Sequence, residues 1–215
     1  KIICNDDQVT VTTHPDKIEA LKKFSDPYFQ HNRCSILSVS NKFHDWSGYL
    51  EILRIVSGEM HIFANDSLVT RHFPTKFDLE ILRRELVSAE GPALIGEMDC
   101  SRNSLVCRRR TTNCWISTFL FGLKCPNKFP AFLHNELLLS ASDLPELTKK
   151  SFESYLTRKR PEYLLSPEYY QAKTGAMNLE LQLTEICREN KYDVINLLKT
   201  RYFRRGIKFL ESKFR

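Results

Sequence analysis

Apolar positions along the chain keep two different periods, and the change between them divides it. Near the N-terminus, Ile18, Leu21 and Phe24 recur at helical spacing behind His14-Pro15-Asp16, with Asp16 placed as an N-cap. That short helix should end near Ser25-Asp26-Pro27. The period then shortens. CSILSVS (34–40) alternates and is rich in small and β-branched residues, so it reads as a strand. YLEILRIV (49–56) is apolar enough for a buried strand, Ser57-Gly58 interrupts it, and EMHIFA (59–64) resumes it. Asn65-Asp66 marks a turn into SLVTRHF (67–73), the second arm of a hairpin. FDLEILRREL (77–86) places Leu79, Ile81, Leu82 and Leu86 near one helical face, which predicts a helix inserted between strands. ALIGE (93–97), SLVCR (104–108) and CWISTFLFGL (114–123) are the next strands, the last ending at Cys125-Pro126. Some seven short strands between residues 34 and 123 predict a small barrel or sandwich.

From Phe129 onward the pattern is helical. FLHNELLL is apolar on one side. Ser142-Asp143-Leu144-Pro145-Glu146 is a helix start, and Ser166-Pro167-Glu168 repeats that signal before a long segment to Asn190 in which Gly175 is a candidate bend. Val194, Leu197, Leu198, Tyr202 and Phe203 continue at helical intervals. The expected class is therefore α+β: an N-terminal helical lead-in over 1–33, a small antiparallel β-barrel over 34–125, and a C-terminal helical region over 126–215.

Composition adds little to that picture until charge is mapped onto it. At 42% hydrophobic and 27% charged residues the chain is ordinary for a globular protein. No apolar run approaches the roughly 18 to 20 residues of a membrane span, and no secretory leader pattern is visible. Residues 1–148 carry 17 Lys and Arg against 18 Asp and Glu, whereas residues 149–215 carry 15 against 8. The whole-chain charge of +6 thus belongs to the C-terminal third. Arg158, Lys159, Arg160, Arg204 and Arg205 lie there among Tyr163, Tyr169, Tyr170, Tyr202 and Phe203, and aromatics beside cations can stack on bases. A nucleic acid or other polyanion is therefore one candidate partner. No recognition-helix or RNA-binding signature frames these residues.

Candidate chemistry is sparse. The seven cysteines, Cys4, Cys34, Cys100, Cys107, Cys114, Cys125 and Cys187, are odd in number and lack the close pairs that zinc requires. They read as reduced, buried thiols in a cytoplasmic protein. The six histidines show no paired-ligand spacing, and no phosphate-binding or nucleophile-elbow motif is present. No catalytic activity, metal or cofactor is expected.

Two phrases stand out together: Arg54-Ile55-Val56-Ser57-Gly58-Glu59-Met60 and Gly91-Pro92-Ala93-Leu94-Ile95-Gly96-Glu97-Met98. Their order resembles the cyclic-nucleotide-binding domain family, whose fold is an eight-stranded jelly-roll barrel with flanking helices. The resemblance covers about residues 34–123. It implies a regulatory module with a cyclic nucleotide as candidate ligand and a protein partner reached through the C-terminal helices. Gly96 would allow close approach to a phosphate, Glu97 would accept from a ribose hydroxyl, and Met98 would follow in the same cassette. The family's phosphate-binding arginine has no counterpart: Ser104 stands in its place, and the loop is about two residues short. Arg102 or Arg108 would have to reach the phosphate from either side. The implied module therefore binds its ligand in an altered way.

Overall fold

The computed structural model describes residues 9–13, 15–19, 34–39, 42–43, 45–64, 76–108, 110–140 and 143–197. It is an α+β structure built on a mixed four-stranded sheet. The strands are β3 (Met60–Ala64), β4 (Ala93–Cys107), β5 (Arg110–Lys124) and β6 (Asp193–Asn196), in the order β3-β5-β4-β6. β5 is antiparallel to both β3 and β4, and β6 lies parallel to β4. A separate parallel pair joins β1 (Val9–Thr13) to β2 (Cys34–Ser38). The helices are α1 (Asp45–Ile55), α2 (Lys76–Ser88), α3 (Phe129–Ser140), α4 (Glu146–Lys159) and α5 (Pro167–Glu189).

The larger core covers one face of the sheet. Trp46, Tyr49, Leu50 and Leu53 of α1 meet Leu133 and Leu137 of α3, Leu179, Leu183 and Ile186 of α5, and Leu94, Phe121 and Leu123 of the sheet. Phe63 stacks on Phe121 with ring centroids 4.7 Å apart. On the other face, Leu82 and Leu86 of α2 pack against Ala93, Ile95 and Leu120. Each such leucine contributes about 1.5 to 3 kcal/mol through burial. Because β5 is covered on both faces, CWISTFLFGL reads as a continuous apolar run rather than a clean alternation. A third cluster joins Leu105 and Cys107 of the far arm of β4 to Phe152 of α4 and Leu181 of α5.

Several expectations meet the structure directly. The strands over 34–40, 59–64 and 114–123 and the helices over 77–86, 132–139 and 168–190 are present as β2, β3, β5, α2, α3 and α5. Ser166 caps α5, its hydroxyl accepting from the Tyr169 N–H at 3.5 Å. Other expectations are corrected. Of residues 49–56, expected as a strand, 49–55 are helical, since Trp46, Tyr49, Leu50 and Leu53 follow an i, i+3, i+4, i+7 stripe while Glu51 and Arg54 pair on the outer face at 2.9 Å. The strands expected at 93–97 and 104–108 are one strand of 15 residues. Residues 193–196, expected to be helical, form β6, because Lys191 at φ 61° turns the chain back alongside β4.

Gly175 lies inside one uninterrupted helix, α5. It lies buried where a Cβ would sit 2.9 Å from the Phe43 ring, so it serves close packing. With a helix in place of one strand and two strands merged, the barrel does not close: among the described residues β3 and β6 are the free ends of an open sheet. The larger core draws residues from Trp46 through to Tyr192 into one cluster. Most of the N-terminal helix, the hairpin arm at 67–73 and the segment after Leu197 lie outside the described residues. No helix among the described residues is long and apolar enough to cross a membrane.

Candidate functional site

The residues of the cassette lie in the middle of the sheet rather than on a turn. Gly96 of β4 stands between Phe121 of β5 and Asn196 of β6. A Cβ there would come within 2.6 Å of the Ile116 Cγ2 and 3.2 Å of the Phe121 Cβ. Its carbonyl accepts from the Leu197 N–H at 2.9 Å. The glycine thus admits a neighbouring side chain. An anion nest instead needs successive N–H groups converging on open space. Glu97 is half-buried at the register shift that follows and is engaged in a contact of its own. The Met98 N–H donates to the Asn196 Oδ1 at 3.2 Å, and its side chain packs on the larger core.

The arginine question has a definite answer for Arg108. It occupies the tight β4–β5 turn at φ 47°. Its Nη2 donates to the Glu136 Oε2 at 2.7 Å, its Nε to the Glu189 Oε2 at 2.8 Å, and its Nη1 to the Ser140 Oγ at 3.0 Å. Two carboxylates on one guanidinium leave a net negative charge, which repels a phosphate. Arg108 therefore ties the hairpin tip to α3 and α5. Ser104 is exposed on β4. Arg102 shares that stretch of β4, and its side chain lies outside the described residues, as do Arg204 and Arg205 entirely. The structure does not bring Gly96, Ser104 and Arg108 to one point.

The basic cluster of the C-terminal region is only partly visible. Arg158 and Lys159 are exposed in the last turn of α4, favourably placed at the negative end of the helix dipole. Arg160 closes that helix and lies 3.6 Å from the Glu162 Oε1. Beside them Leu165 is 85% exposed and Tyr169 is 59% exposed, with Tyr155 and Leu164 also open to solvent. Tyr170 donates to the Glu153 Oε1 at 2.7 Å and so holds the start of α5 against α4.

What sequence reasoning missed is a polar seam between the sheet and α5. Between Gly96/Phe121 and Met98/Ile116 the β4–β5 ladder loses register, and β5 bulges over 117–120. The side chains of α5 replace the missing strand partners. The Ile116 N–H donates to the Thr184 Oγ1 at 2.9 Å and the Thr118 N–H to the Glu180 Oε1 at 2.9 Å. From the other side the Tyr49 hydroxyl donates to the Thr118 carbonyl at 2.7 Å. Burial pushes the Glu180 carboxyl up to about 7, with the Thr118 N–H pulling it back, Asp99 adding to the rise and Lys173 opposing it. A carboxyl titrating near neutrality marks functional sites and structural networks alike. Here it caps backbone N–H groups that would otherwise be buried without partners.

Further along the same two strands, Cys100 of β4 and Cys114 of β5 form a disulfide with Cα atoms 4.1 Å apart. This corrects the expectation of uniformly reduced thiols. Cys107, Cys125 and Cys187 are free and buried. Desolvation pushes the thiols of Cys107 and Cys125 up to about 12 and raises that of Cys187 as well. Among the described residues, no group of three or more His, Cys, Asp and Glu side chains is arranged to hold a metal ion. No protein-family model matches the chain, and no curated protein matches it significantly.

Proposed function

We propose that the chain is a non-catalytic regulatory module that engages a protein partner through its C-terminal helical region, at the junction of α4 and α5. One surface carries this reading. Tyr155, Leu164, Leu165 and Tyr169 stand exposed on that junction, with Arg158, Lys159 and Arg160 at its rim. Apolar and aromatic side chains gathered on a surface and edged by charge have the composition of a binding patch. The charge around it is mixed: residues 143–173 hold six Lys and Arg against five Asp and Glu. A mixed rim favours a protein over a polyanion.

The likeness of residues 54–60 and 91–98 to cyclic-nucleotide-binding domains supports the regulatory part of the proposal. It supports the ligand less, since Gly96 is filled against Ile116 and Arg108 is committed to Glu136 and Glu189. The relay to the partner would run through α5, which touches the sheet along most of its length. An intracellular setting belongs to the same reading.

The test is crosslinking in native extract with the full chain, comparing wild type, Leu165→Asp/Tyr169→Asp, and a distant surface control, Glu90→Lys. A partner recovered by wild type and the control but lost with the double variant supports the proposal. Equal recovery by all three proteins refutes it. Thermal stabilisation by cyclic AMP or cyclic GMP, abolished in Glu97→Ala, would instead restore a ligand-sensing role.

A second reading rests on charge. Residues 198–215 hold seven Lys and Arg against one acidic residue, so nearly all of the C-terminal excess sits in that segment. This favours nucleic-acid or polyanion binding with Arg204 and Arg205 among the contacts. Oligonucleotide binding that falls steeply with salt, and is lost in Arg204→Ala/Arg205→Ala, would support it.

A further inference from the structure

β3 is one free end of the sheet among the described residues, and its neighbour fixes which of its backbone groups face outward. The Cys125 N–H donates to the Glu59 carbonyl at 2.8 Å. From there the antiparallel register runs on without a shift: Met60 with Lys124, His61 with Leu123, Ile62 with Gly122, Phe63 with Phe121 and Ala64 with Leu120. Hydrogen-bonded and non-hydrogen-bonded pairs alternate along such a ladder. His61 and Phe63 therefore turn their N–H and C=O groups toward β5. Met60, Ile62 and Ala64 turn theirs to the free edge, where no described residue bonds to them.

The same three residues carry the exposed side chains of the strand. Met60 is 51% exposed and Ile62 42% exposed, and Ala64 is open as well, whereas Phe63 is buried. Their side chains share the face on which Leu86 of α2 packs over Gly122. An open edge is ordinarily guarded by a charge, a proline or a bulge. MHIFA contains no charged residue and no proline, and its register with β5 is unbroken. β6, at the other end of the sheet, exposes Asp193 and Asn196 instead. β3 is thus an edge that offers hydrogen-bonding groups and an apolar row together.

We propose that β3 pairs with β3 of a second copy of the chain, antiparallel and about a two-fold axis at Ile62, joining two four-stranded sheets into one. Ile62 then lies opposite its own counterpart, and Met60 opposite the counterpart of Ala64. This register uses every outward N–H and C=O group of the three residues. Sliding the strands by two residues leaves an outward residue unbonded on each chain. The long Met60 meets the small Ala64, and no charge is set against a like charge. A two-fold interface must match the same patch to itself. The apolar row does so, and it carries no charge by which a charged partner would be recognised. The contact is small, so the dimer belongs to the weak class of interfaces. It involves none of the residues of the α4–α5 junction.

The test is sedimentation velocity of the full chain from about 1 to about 200 µM, with hydrogen exchange read amide by amide at both ends of the range. The expected result is a shift from monomer to dimer with concentration. Protection of the Met60, Ile62 and Ala64 amides should rise by about tenfold or more in the dimer, while those of His61 and Phe63, already bonded to β5, should change far less. Ile62→Pro removes the donor at the two-fold axis without removing a bond to β5, and should weaken the dimer by about tenfold or more. Ile62→Lys sets two cations opposite each other and should weaken it comparably. Ile62→Val keeps both the donor and the apolar row and should stay within about threefold of wild type. Circular dichroism checks the fold of each variant, and Ile62→Lys, which changes only an exposed side chain, carries the comparison where proline perturbs β3. Three results overturn the proposal: a monomer across the whole range, a dimer that Ile62→Lys does not weaken, or a dimer whose outward amides exchange as they do in the monomer.

Discussion

Replacing Glu180 by Gln should make the protein more stable at pH 8 and leave it almost unchanged at pH 4. The side chain sits in the seam between α5 and β5, its Oε1 accepting from the Thr118 N–H. Burial pushes its carboxyl up to about 7 in the fold from an ordinary value of 4.5. Below pH 4.5 both folded and unfolded states are protonated and the shift has no effect. Between 4.5 and 7 the unfolded chain has released the proton and the folded one retains it, so stability falls as pH rises. Above 7 both are ionised and the full difference persists. One pKa unit corresponds to about 1.4 kcal/mol, so the difference approaches about 3 kcal/mol, an order-of-magnitude figure. Glutamine keeps the acceptor for Thr118 and cannot ionise. The variant should therefore match wild type near pH 4 and exceed it by about 2 to 3 kcal/mol at pH 8. Urea unfolding of both proteins at half-unit pH steps measures the gap. A gap constant with pH, or a less stable variant at pH 8, would refute the placement of Glu180 as a buried, reluctantly charged cap.

Three further outcomes follow from named contacts. Arg108→Ala leaves Glu136 and Glu189 without their shared cation and should destabilise by about 2 to 4 kcal/mol, while Arg108→Gly should recover about 1 kcal/mol because it suits the left-handed turn. Denaturation curves compare the two. Gly96→Ala should cost about 1 to 3 kcal/mol by driving a methyl group into Ile116, and the loss should shrink in a background carrying Ile116→Ala, measured as a double-mutant cycle. Iodoacetamide at pH 8 should leave Cys107, Cys125 and Cys187 unmodified in the native protein and label them on unfolding, since burial suppresses their thiolates.

Much of the secondary structure was legible because it rests on local periodicity. α2 announces itself through Leu79, Ile81, Leu82 and Leu86, and α5 through Ser166-Pro167-Glu168 at its start. The misreading of 49–56 came from an apolar run long enough for either structure. Adding Trp46 to that run restores the helical stripe, so the signal was present just upstream. β6 had no such signal. Four residues became a strand because β4, roughly a hundred positions earlier, offered them an unpaired edge.

The site was less legible than the fold. Arg108 looked like a phosphate ligand because charge and position in the chain were all that could be seen. Its partners lie 28, 32 and 81 positions away, and no spacing rule connects them. Gly96 looked like a backbone approach to an anion, and its actual neighbour is a methyl group of the adjacent strand. Cys100 and Cys114 stand 14 apart, and only the register of β4 on β5 sets them face to face.

The amino-acid sequence alone determined the α+β class, the positions of most helices and strands, and the concentration of positive charge toward the C-terminus, because propensity, periodicity and charge are properties of neighbouring residues. Tertiary structure decided that the sheet stays open, that α5 takes the place of missing strand partners, that Arg108 binds carboxylates, and that two cysteines are joined. Each of these depends on which distant groups come within a few ångströms, and that is set by the packing of the whole chain.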